Sequence, residues 1–564
     1  MRDGKTRRAV ACLLGLVLTA GLSACVQSER EGAGGGGGGG DTDTDTFVFA
    51  ASADPATLDP AFANDGESFR VARQIFEGLV GTEPGTPDPA PGLAESWVSS
   101  EDGLTHTFTL HEGVKFHDGT DFNADEVCVN FNRWNNFTGV LQSESISYYW
   151  QKIMGGFATS DDPTLADGIL AGCQATSPTE VVITLKQPFG AFIPALSLPA
   201  FAMSSPAALE KFNADEVTGT GEAPQFGEYA NANPTGTGPF TFGEWDRGQQ
   251  VVLNSNAEYW GEKATFSRIV FRVIDDTTAR KQALESGSID GYDLVAPGDV
   301  QGLGDGGFNI VNRDPFNILY LGMNQAFPAM QDIKVRQAIA YAVNKQALVT
   351  AQLPEGTELA TQFIPPSVNG YAPDVATYDY DPERAKALLA EAGFTAEAPL
   401  ELPFWYPTGV SRPYLPTPEE TFTAIRADLE AVGVVITPVA KQWSPDYLDG
   451  VQGTSEGRAL HLLGWTGDYN DTDNFIGVFF GAAAMEWGFE NPELFTALAS
   501  ARGLPADEAE AAYQEINRTV MEFLPGVPLA HPTPSLAFNE RVQNYPASPV
   551  QDEVYNVVTL TAGR

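Results

Sequence analysis

The stretch Glu112-Gly-Val-Lys-Phe-His-Asp-Gly119 has a turn signal at each end, Glu-Gly and Asp-Gly, around a short extended segment. Upstream of it, Leu104–Leu110 alternates apolar and polar side chains, which predicts a half-buried β-strand. Thr179–Leu185 is predicted to be another strand, and two more are expected at 251–253 and 269–274. This part of the chain should therefore contain β-sheet.

Helices are predicted in the second half of the chain. Asp332–Leu348 has apolar residues at helical spacing and should form one amphipathic helix. Asp381, followed by a proline, opens another helix that Gly393 closes. Thr417–Glu420 has the pattern of a capping box for a helix that Gly433 ends. The mixture of strands and helices predicts an α/β or α+β class with more than one lobe.

Length, charge and histidine content limit the function. A chain of 564 residues exceeds one hydrophobic core, so two or more lobes are expected. The formal net charge of −42 disfavours nucleic acid and anionic lipid surfaces as partners. Neither Gly-x-Ser-x-Gly nor His-Glu-x-x-His occurs, which argues against an exported hydrolase. His106 and His117 have no partner at metal-ligand spacing, so we expect structural roles for both, and neither a metal nor a cofactor.

The N-terminus has the pattern of a secretory signal, with basic residues before an apolar run at Ala9–Ala20 that is too short to span a bilayer. Leu22-Ser-Ala-Cys25 resembles the bacterial lipobox, in which the cysteine becomes lipidated. Residues 1–24 are therefore predicted to be a lipoprotein signal peptide, and residues 25–46 a glycine-rich flexible tether. We expect an extracytoplasmic protein anchored to the cell membrane by lipid on Cys25 alone; the alternative is an ordinary cleaved signal with a chance cysteine.

Two cysteines remain in the exported part of the chain. Cys128 and Cys173 would lie in an oxidising compartment, where such a pair is expected to form one disulfide. Their separation excludes a Cys-x-x-Cys redox motif, so the predicted role is structural.

Several blocks of the sequence resemble the family 5 solute-binding proteins of bacterial ABC importers. They occur in the family's order along the chain, which makes the resemblance specific. The blocks are Ala94–Trp97, Glu112–Gly119, Ala124–Val127, Gly236–Phe240, Asn256–Trp260, Arg280–Gly291, Asp332–Lys345 and Tyr380–Gly393.

The resemblance implies an α/β, two-lobed periplasmic-binding-protein fold of type II, in the large form with an extra subdomain. Lobe I would span 47–313, with the subdomain at about 102–185, and both Cys128 and Cys173 would lie in it. Lobe II would span 314–532, and residues 533–564 would return to lobe I. The implied protein is a monomer without catalytic residues that captures a solute by lobe closure and delivers it to the transmembrane subunits of an ABC permease.

A narrower resemblance is to the dipeptide-binding branch of that family. It rests on Arg412-Pro-Tyr-Leu-Pro416, Trp443, Gly464-Trp-Thr-Gly-Asp468 and Asp473-Asn-Phe475. In that branch an arginine takes the peptide carboxylate and an aspartate takes the peptide ammonium. The resemblance therefore implies that Arg412 and Asp468 bind the two ends of a short peptide.

Each of these residues could instead have a structural role and not contact the ligand. Arg412 could hold its own proline-rich loop, and Asp468 could be a turn carboxylate. The aromatic residues could line the pocket or pack in the core; they are Trp443, Trp465 and Tyr414. The Asn64–Glu67 loop is a further candidate to reach the cleft. The same fold could also bind a metal chelate, haem or a sugar, or present its ligand to a sensor.

Overall fold

The computed structural model describes residues 45–161, 168–221 and 223–562. The predicted signal peptide, Cys25 and the tether up to residue 44 lie outside the described residues. The strands are, in chain order, β1 Thr46–Ala51, β2 Val80–Thr82, β3 Pro89–Pro91, β4 Ala94–Ser99, β5 Thr105–Leu110, β6 Leu170–Ser177, β7 Glu180–Leu185, β8 Thr218–Thr220, β9 Ala223–Gln225, β10 Phe240–Asp246, β11 Gln250–Ser255, β12 Arg268–Val273, β13 Gly291–Tyr292, β14 Asn309–Asn312, β15 Asn317–Met323, β16 Glu358–Leu359, β17 Glu401–Thr408, β18 Val435–Gln442, β19 Leu460–Thr466, β20 Gly526–His531, β21 Ser535–Phe538, β22 Val542–Gln543 and β23 Thr559–Leu560.

The α-helices lie between these strands and cover the sheets. They are α1 Gly66–Ile75, α2 Ala124–Asn135, α3 Tyr148–Met154, α4 Phe192–Ala195, α5 Pro206–Lys211, α6 Glu228–Ala232, α7 Thr277–Glu285, α8 Pro297–Asp305, α9 Ile333–Ala342, α10 Lys345–Gln352, α11 Pro382–Glu391, α12 Pro418–Ala431, α13 Leu448–Gly453, α14 Ile476–Phe480, α15 Pro492–Arg502 and α16 Ala506–Phe523.

A seven-stranded sheet has the order β10-β11-β12-β1-β13-β21-β14. Strand β1 pairs in parallel with β12 and β13, and Thr46 already pairs with Arg268, so the ordered sheet begins one residue before Phe47. Strand β21 comes from the end of the chain and lies between β13 and β14. Distant parts of the chain therefore share one sheet.

A four-stranded antiparallel sheet has the order β4-β5-β7-β6. Strands β5 and β7 confirm the predictions for Leu104–Leu110 and Thr179–Leu185 to within one residue. Helix α2 lies beside β6, and a disulfide joins Cys128 of α2 to Cys173 of β6 with their Cα atoms 5.2 Å apart. We call the part built on the seven-stranded and four-stranded sheets lobe I.

A six-stranded sheet with the order β16-β20-β15-β19-β17-β18 forms the centre of lobe II. Strand β17 runs parallel to both β18 and β19. The chain passes from lobe I to lobe II between β14 and β15 and returns between β20 and β21. The two connections touch, because the Asn317 side chain donates to the carbonyl of Pro532 at 3.0 Å and the Arg313 amide donates to that of Pro534 at 3.0 Å.

Two local predictions are wrong. The single helix expected over Asp332–Leu348 is two helices, α9 and α10, because Val343 is extended and Asn344 caps the second helix through the Ala347 amide. The capping box at Thr417 lacks its side-chain cap bond. The Thr417 hydroxyl instead donates to the Gln352 carbonyl at 3.3 Å, so a tertiary contact replaces the local one.

Candidate functional site

Three parallel strands of lobe II end side by side, and the predicted site residues follow those ends. Strand β19 ends at Thr466, β17 at Thr408 and β18 at Gln442, in the sheet order β19-β17-β18. Because ligands in open α/β sheets bind beyond the carboxyl ends of the strands, this edge is the expected place for a binding site.

Asp468 lies two residues after β19 and is held from both lobes. Within lobe II, its amide donates to the Asn474 side-chain oxygen at 2.7 Å, and the Asn474 amide group donates to Asp468 Oδ2 at 3.2 Å. From lobe I, the Tyr149 hydroxyl donates to Asp468 Oδ1 at 2.9 Å. Burial raises the pKa of the Asp468 carboxyl to about 6, although both hydrogen bonds and the charge of Arg73 act in the opposite direction.

A cavity of about 470 Å³ opens beside Asp468. Trp465 lines it as well, and its indole Nε1 is buried without a hydrogen-bond partner in the described structure. The other lining residues come from both lobes and are Tyr148, Tyr149, Lys152, Ile153, Tyr469, Asp473, Asn474, Gly477, Val478, Gly481, Ala482, Ala483, Ala484, Leu498, Ala499 and Arg502. The cavity thus combines aromatic side chains with two carboxylates, Asp468 and Asp473, of which Asp473 pairs with Arg502.

Arg412 lies in the loop after β17 and is not among the residues that line this cavity. Its backbone pairs with Leu415 in a tight bridge, and its guanidinium lies 4.4 Å from the centre of the Trp443 ring. Its Nε is buried without a hydrogen-bond partner, and within the described ranges it makes no ion pair. A guanidinium with unused donors suits a carboxylate ligand.

The remaining predicted aromatic residues lie next to Arg412. The ring of Tyr414 packs on Gly464, where a Cβ atom would come within 2.3 Å of the ring, so this glycine is required for the contact. Tyr414 is buried, and burial raises the pKa of its hydroxyl to about 12. Trp443 is half-buried and stacks on Tyr447 with ring centres 6.0 Å apart. Asp468 and Trp465 therefore share a cavity, whereas Arg412, Trp443 and Tyr414 form a neighbouring cluster.

Most of the residues that line the cavity were not predicted, and two of them, Tyr149 and Arg502, make contacts that matter for the site. Tyr149 and Arg502 are distant from the motif in sequence, and only the fold brings them to the cavity. The side chains of the Asn64–Glu67 loop bond within lobe I instead: Asp65 caps α1, and Glu67 pairs with Arg70 at 2.9 Å.

The described residues have neither a cluster that could hold a metal ion nor a helix that could span a membrane. Residues 45–161, 168–221 and 223–562 contain no group of three or more His, Cys, Asp or Glu placed to hold a metal ion. His117 Nε2 bonds the Gly238 carbonyl at 2.9 Å, and His106 packs on Phe192. None of the helices that the structure describes is long and apolar enough to cross a bilayer.

Comparison with known proteins shows the family. Residues 88–487 match the family described as bacterial extracellular solute-binding proteins, family 5. A dipeptide-binding protein of Escherichia coli (strain K12) is 31% identical over 446 residues, which are 78% of this chain and 79% of that protein. Heme-binding protein A of Haemophilus influenzae is 30% identical over 521 residues, which are 89% of this chain and 90% of that protein.

Among solved structures, the periplasmic binding protein DppA of Helicobacter pylori in complex with the peptide STSA has a TM-score of 0.73 and 26% identity, covering 91% of this chain and 98% of that chain. Together with the separate sheets described above, this similarity confirms the predicted α/β periplasmic-binding-protein fold. The chain belongs to the family 5 bacterial extracellular solute-binding proteins.

Proposed function

We propose that this protein captures short peptides outside the cytoplasm and delivers them to an ABC import permease. The observation that carries the proposal is the placement of two opposite charges at one sheet edge. Asp468 offers a carboxylate to the cavity, and Arg412 offers donors that no ion pair uses within the described ranges. The dipeptide-binding and peptide-complexed relatives support a peptide as the ligand.

The chemistry of a free peptide fits these two groups. A peptide has an ammonium at one end and a carboxylate at the other, and a closed cavity must replace the water around both. The Asp468 carboxylate would take the ammonium, and the planar guanidinium of Arg412 would hold the carboxylate through two parallel donors. Trp465 would contact the apolar parts of the ligand.

Lobe closure is the proposed functional step, and no catalytic step is needed. We place the lobe limits at 47–313, 314–532 and 533–564, with the hinge in the two connections that touch near Asn317 and Pro532. A ligand that contacts both lobes would shift an open–closed equilibrium by its higher affinity for the closed form. Tyr149 shows how lobe I can reach the site, because its hydroxyl already bonds Asp468.

The proposal is tested by matched changes in protein and ligand. Arg412→Ala and Asp468→Ala should each weaken dipeptide binding by roughly 30-fold or more in calorimetry, because one partner of a buried charge pair is lost. Amidating the peptide carboxylate should matter little once Arg412 is absent, and acetylating the ammonium should matter little once Asp468 is absent.

A control variant is Arg426→Ala, which removes an exposed arginine that bonds Glu430 on α12. It should bind dipeptides as the wild type does. Fully additive losses in both protein–ligand cycles would contradict the assignment of the two ends, and the absence of binding across a broad dipeptide library would contradict the peptide ligand.

The membrane attachment is likewise part of the proposal. We propose that residues 1–24 are removed and that lipid on Cys25 holds the protein at the membrane. A chain of net charge −42 would not be held at the membrane by attraction to anionic lipid headgroups, so the lipid on Cys25 would provide the attachment.

Haem is the second candidate ligand, because heme-binding protein A matches 89% of this chain at 30% identity. Three tyrosines, Tyr148, Tyr149 and Tyr469, line the cavity, and tyrosine is one of the side chains that can bind haem iron. Titration with haem, followed by its visible absorption, separates the candidates. Saturable haem binding without any dipeptide binding would favour haem over a peptide.

A further inference from the structure

Arg502 makes a set of contacts across the two lobes that the proposed ligand site does not use. It is the last residue of α15 in lobe II, and its side chain is 36% exposed. Its Nη2 donates to the backbone carbonyls of Lys152 and Ile153, at 2.8 and 3.2 Å, in the last turn of α3 in lobe I. Its guanidinium also lies 4.6 Å from the centre of the Phe189 ring, again in lobe I.

These contacts have a clear physical reason. The last carbonyls of a helix have no partner within the helix and carry a partial negative charge, so a cation placed there is favourable. Arg502 places its positive charge at the last carbonyls of α3 from the opposite lobe. Within lobe II, Asp473 holds the guanidinium in place, with 3.4 Å between Arg502 Nη1 and Asp473 Oδ2.

Helix α3 also carries the hydroxyl that bonds the Asp468 carboxylate, the proposed acceptor of the ligand ammonium. Tyr149 is the second residue of α3, and its hydroxyl bonds Asp468. Asn474, which follows Asp473 in the chain, bonds Asp468 from the other side. A chain of contacts therefore runs along the cavity wall from Arg502 through α3 to Asp468, and Arg502 fixes the end of α3 that lies away from Tyr149.

We propose that Arg502 is a positioning residue that holds α3 against lobe II and so places the Tyr149 hydroxyl on Asp468. The inference deepens the proposed function, because it names the group that completes the wall of the same cavity. Its test needs no ligand, so it can fail while peptide binding stands, and it can succeed if the ligand is not a peptide.

A backbone hydrogen bond gives a direct readout of the contact between the lobes. The amide of Gly190 in lobe I donates to the backbone carbonyl of Arg502 at 2.9 Å. A change of the Arg502 side chain leaves that carbonyl in place, so faster exchange of the Gly190 amide hydrogen reports separation of the lobes.

The experiment compares Arg502→Gln with Arg518→Gln in the ligand-free protein by amide hydrogen exchange. Arg518 is a matched control, because its side chain is 33% exposed and bonds Asp374 and Glu515 within lobe II. Exchange of the Gly190 amide should rise at least about tenfold in Arg502→Gln, because the charge-assisted hydrogen bonds from Nη2 to the carbonyls of Lys152 and Ile153 are lost. It should stay at the wild-type rate in Arg518→Gln.

A second measurement tests the link to Tyr149. If Arg502 acts by placing α3, exchange at Gly190 in Arg502→Gln should rise little further when Tyr149→Phe is added, so the two effects should be strongly non-additive. Exchange in strand β15, at the centre of lobe II, should match the wild type in every variant, which shows that the lobe stays folded. A wild-type rate at Gly190 in Arg502→Gln, or fully additive effects in the double variant, would overturn the proposal.

Discussion

Acid should weaken peptide binding through Asp468. The pKa of this carboxyl is raised to about 6 by burial, and the proposed ligand ammonium needs the ionised form. A bound ammonium lowers the pKa of the Asp468 carboxyl. At a pH where this carboxyl is protonated in the free protein, it must therefore lose its proton when the ligand binds. The affinity is therefore nearly full at pH 7 and above, and it falls as the pH drops through 6.

The magnitude follows from the same pKa. With a value of about 6, roughly nine-tenths of the Asp468 carboxyl is ionised at pH 7 and roughly one-tenth at pH 5. The dissociation constant should therefore rise about tenfold between pH 7 and pH 5, or about 1.4 kcal/mol. Titration of the ligand does not cause this rise in the dissociation constant. A peptide carboxyl has a pKa of about 3.5 and a peptide amino group a pKa of about 7.8, so both remain mostly charged between pH 5 and pH 7.

The assay is calorimetry of one dipeptide without titratable side chains at pH 7, 6 and 5. In Asp468→Asn the affinity should be at least 30-fold lower at pH 7 and nearly independent of pH. Asp471 is the control, because burial and the charge of Asp473 raise its pKa to about 7 and it does not line the cavity. Asp471→Asn should keep the tenfold change. The same pH dependence in Asp468→Asn would refute the reasoning.

Three other predictions follow from the proposal. Changing Cys25 to serine should release the protein from the membrane pellet, and a variant that stays there after a salt wash would contradict lipid anchoring. Alkylation of the exported protein without reductant should label neither Cys128 nor Cys173, whereas reduction should cost about 2–4 kcal/mol of stability for a bridge of sequence separation 45, measured by denaturant unfolding. Saturating ligand should lower the radius of gyration in small-angle scattering, and an unchanged radius would argue against closure.

Much of the secondary structure was predictable, because alternation and helical spacing reflect burial on one side of an element. Strand β5 has this alternation, with His106, Phe108 and Leu110 buried and their neighbours more exposed. The break between α9 and α10 was not predictable from spacing, since the apolar residues continue through it. It depends on Asn344, whose backbone N–H donates to the Asp428 carboxylate at 2.8 Å, a contact with α12.

The residues of the candidate site could be predicted from the sequence only where they lie within motifs. Arg412 and Asp468 could be placed in loops after strands, because the motifs that contain them are contiguous in sequence. Tyr149 could not be assigned to the site, because 319 positions separate it from Asp468 and nothing local marks its role. Contacts between lobes are a property of the fold, so sequence patterns read one segment at a time do not contain them.

The spacing of the two charged groups argues for a short ligand. Asp468 follows β19, whereas Arg412 follows the adjacent strand β17 and stacks on Trp443, which follows β18 one strand further. Neighbouring strands lie about 4.8 Å apart and an extended chain spans about 3.5 Å per residue, so a ligand of a few residues is long enough to pass from the loop after one strand to the loop after the next. The Tyr149 hydroxyl bonds Asp468 beside the cavity, so a longer peptide that displaced this bond would remove a contact between the lobes and weaken closure.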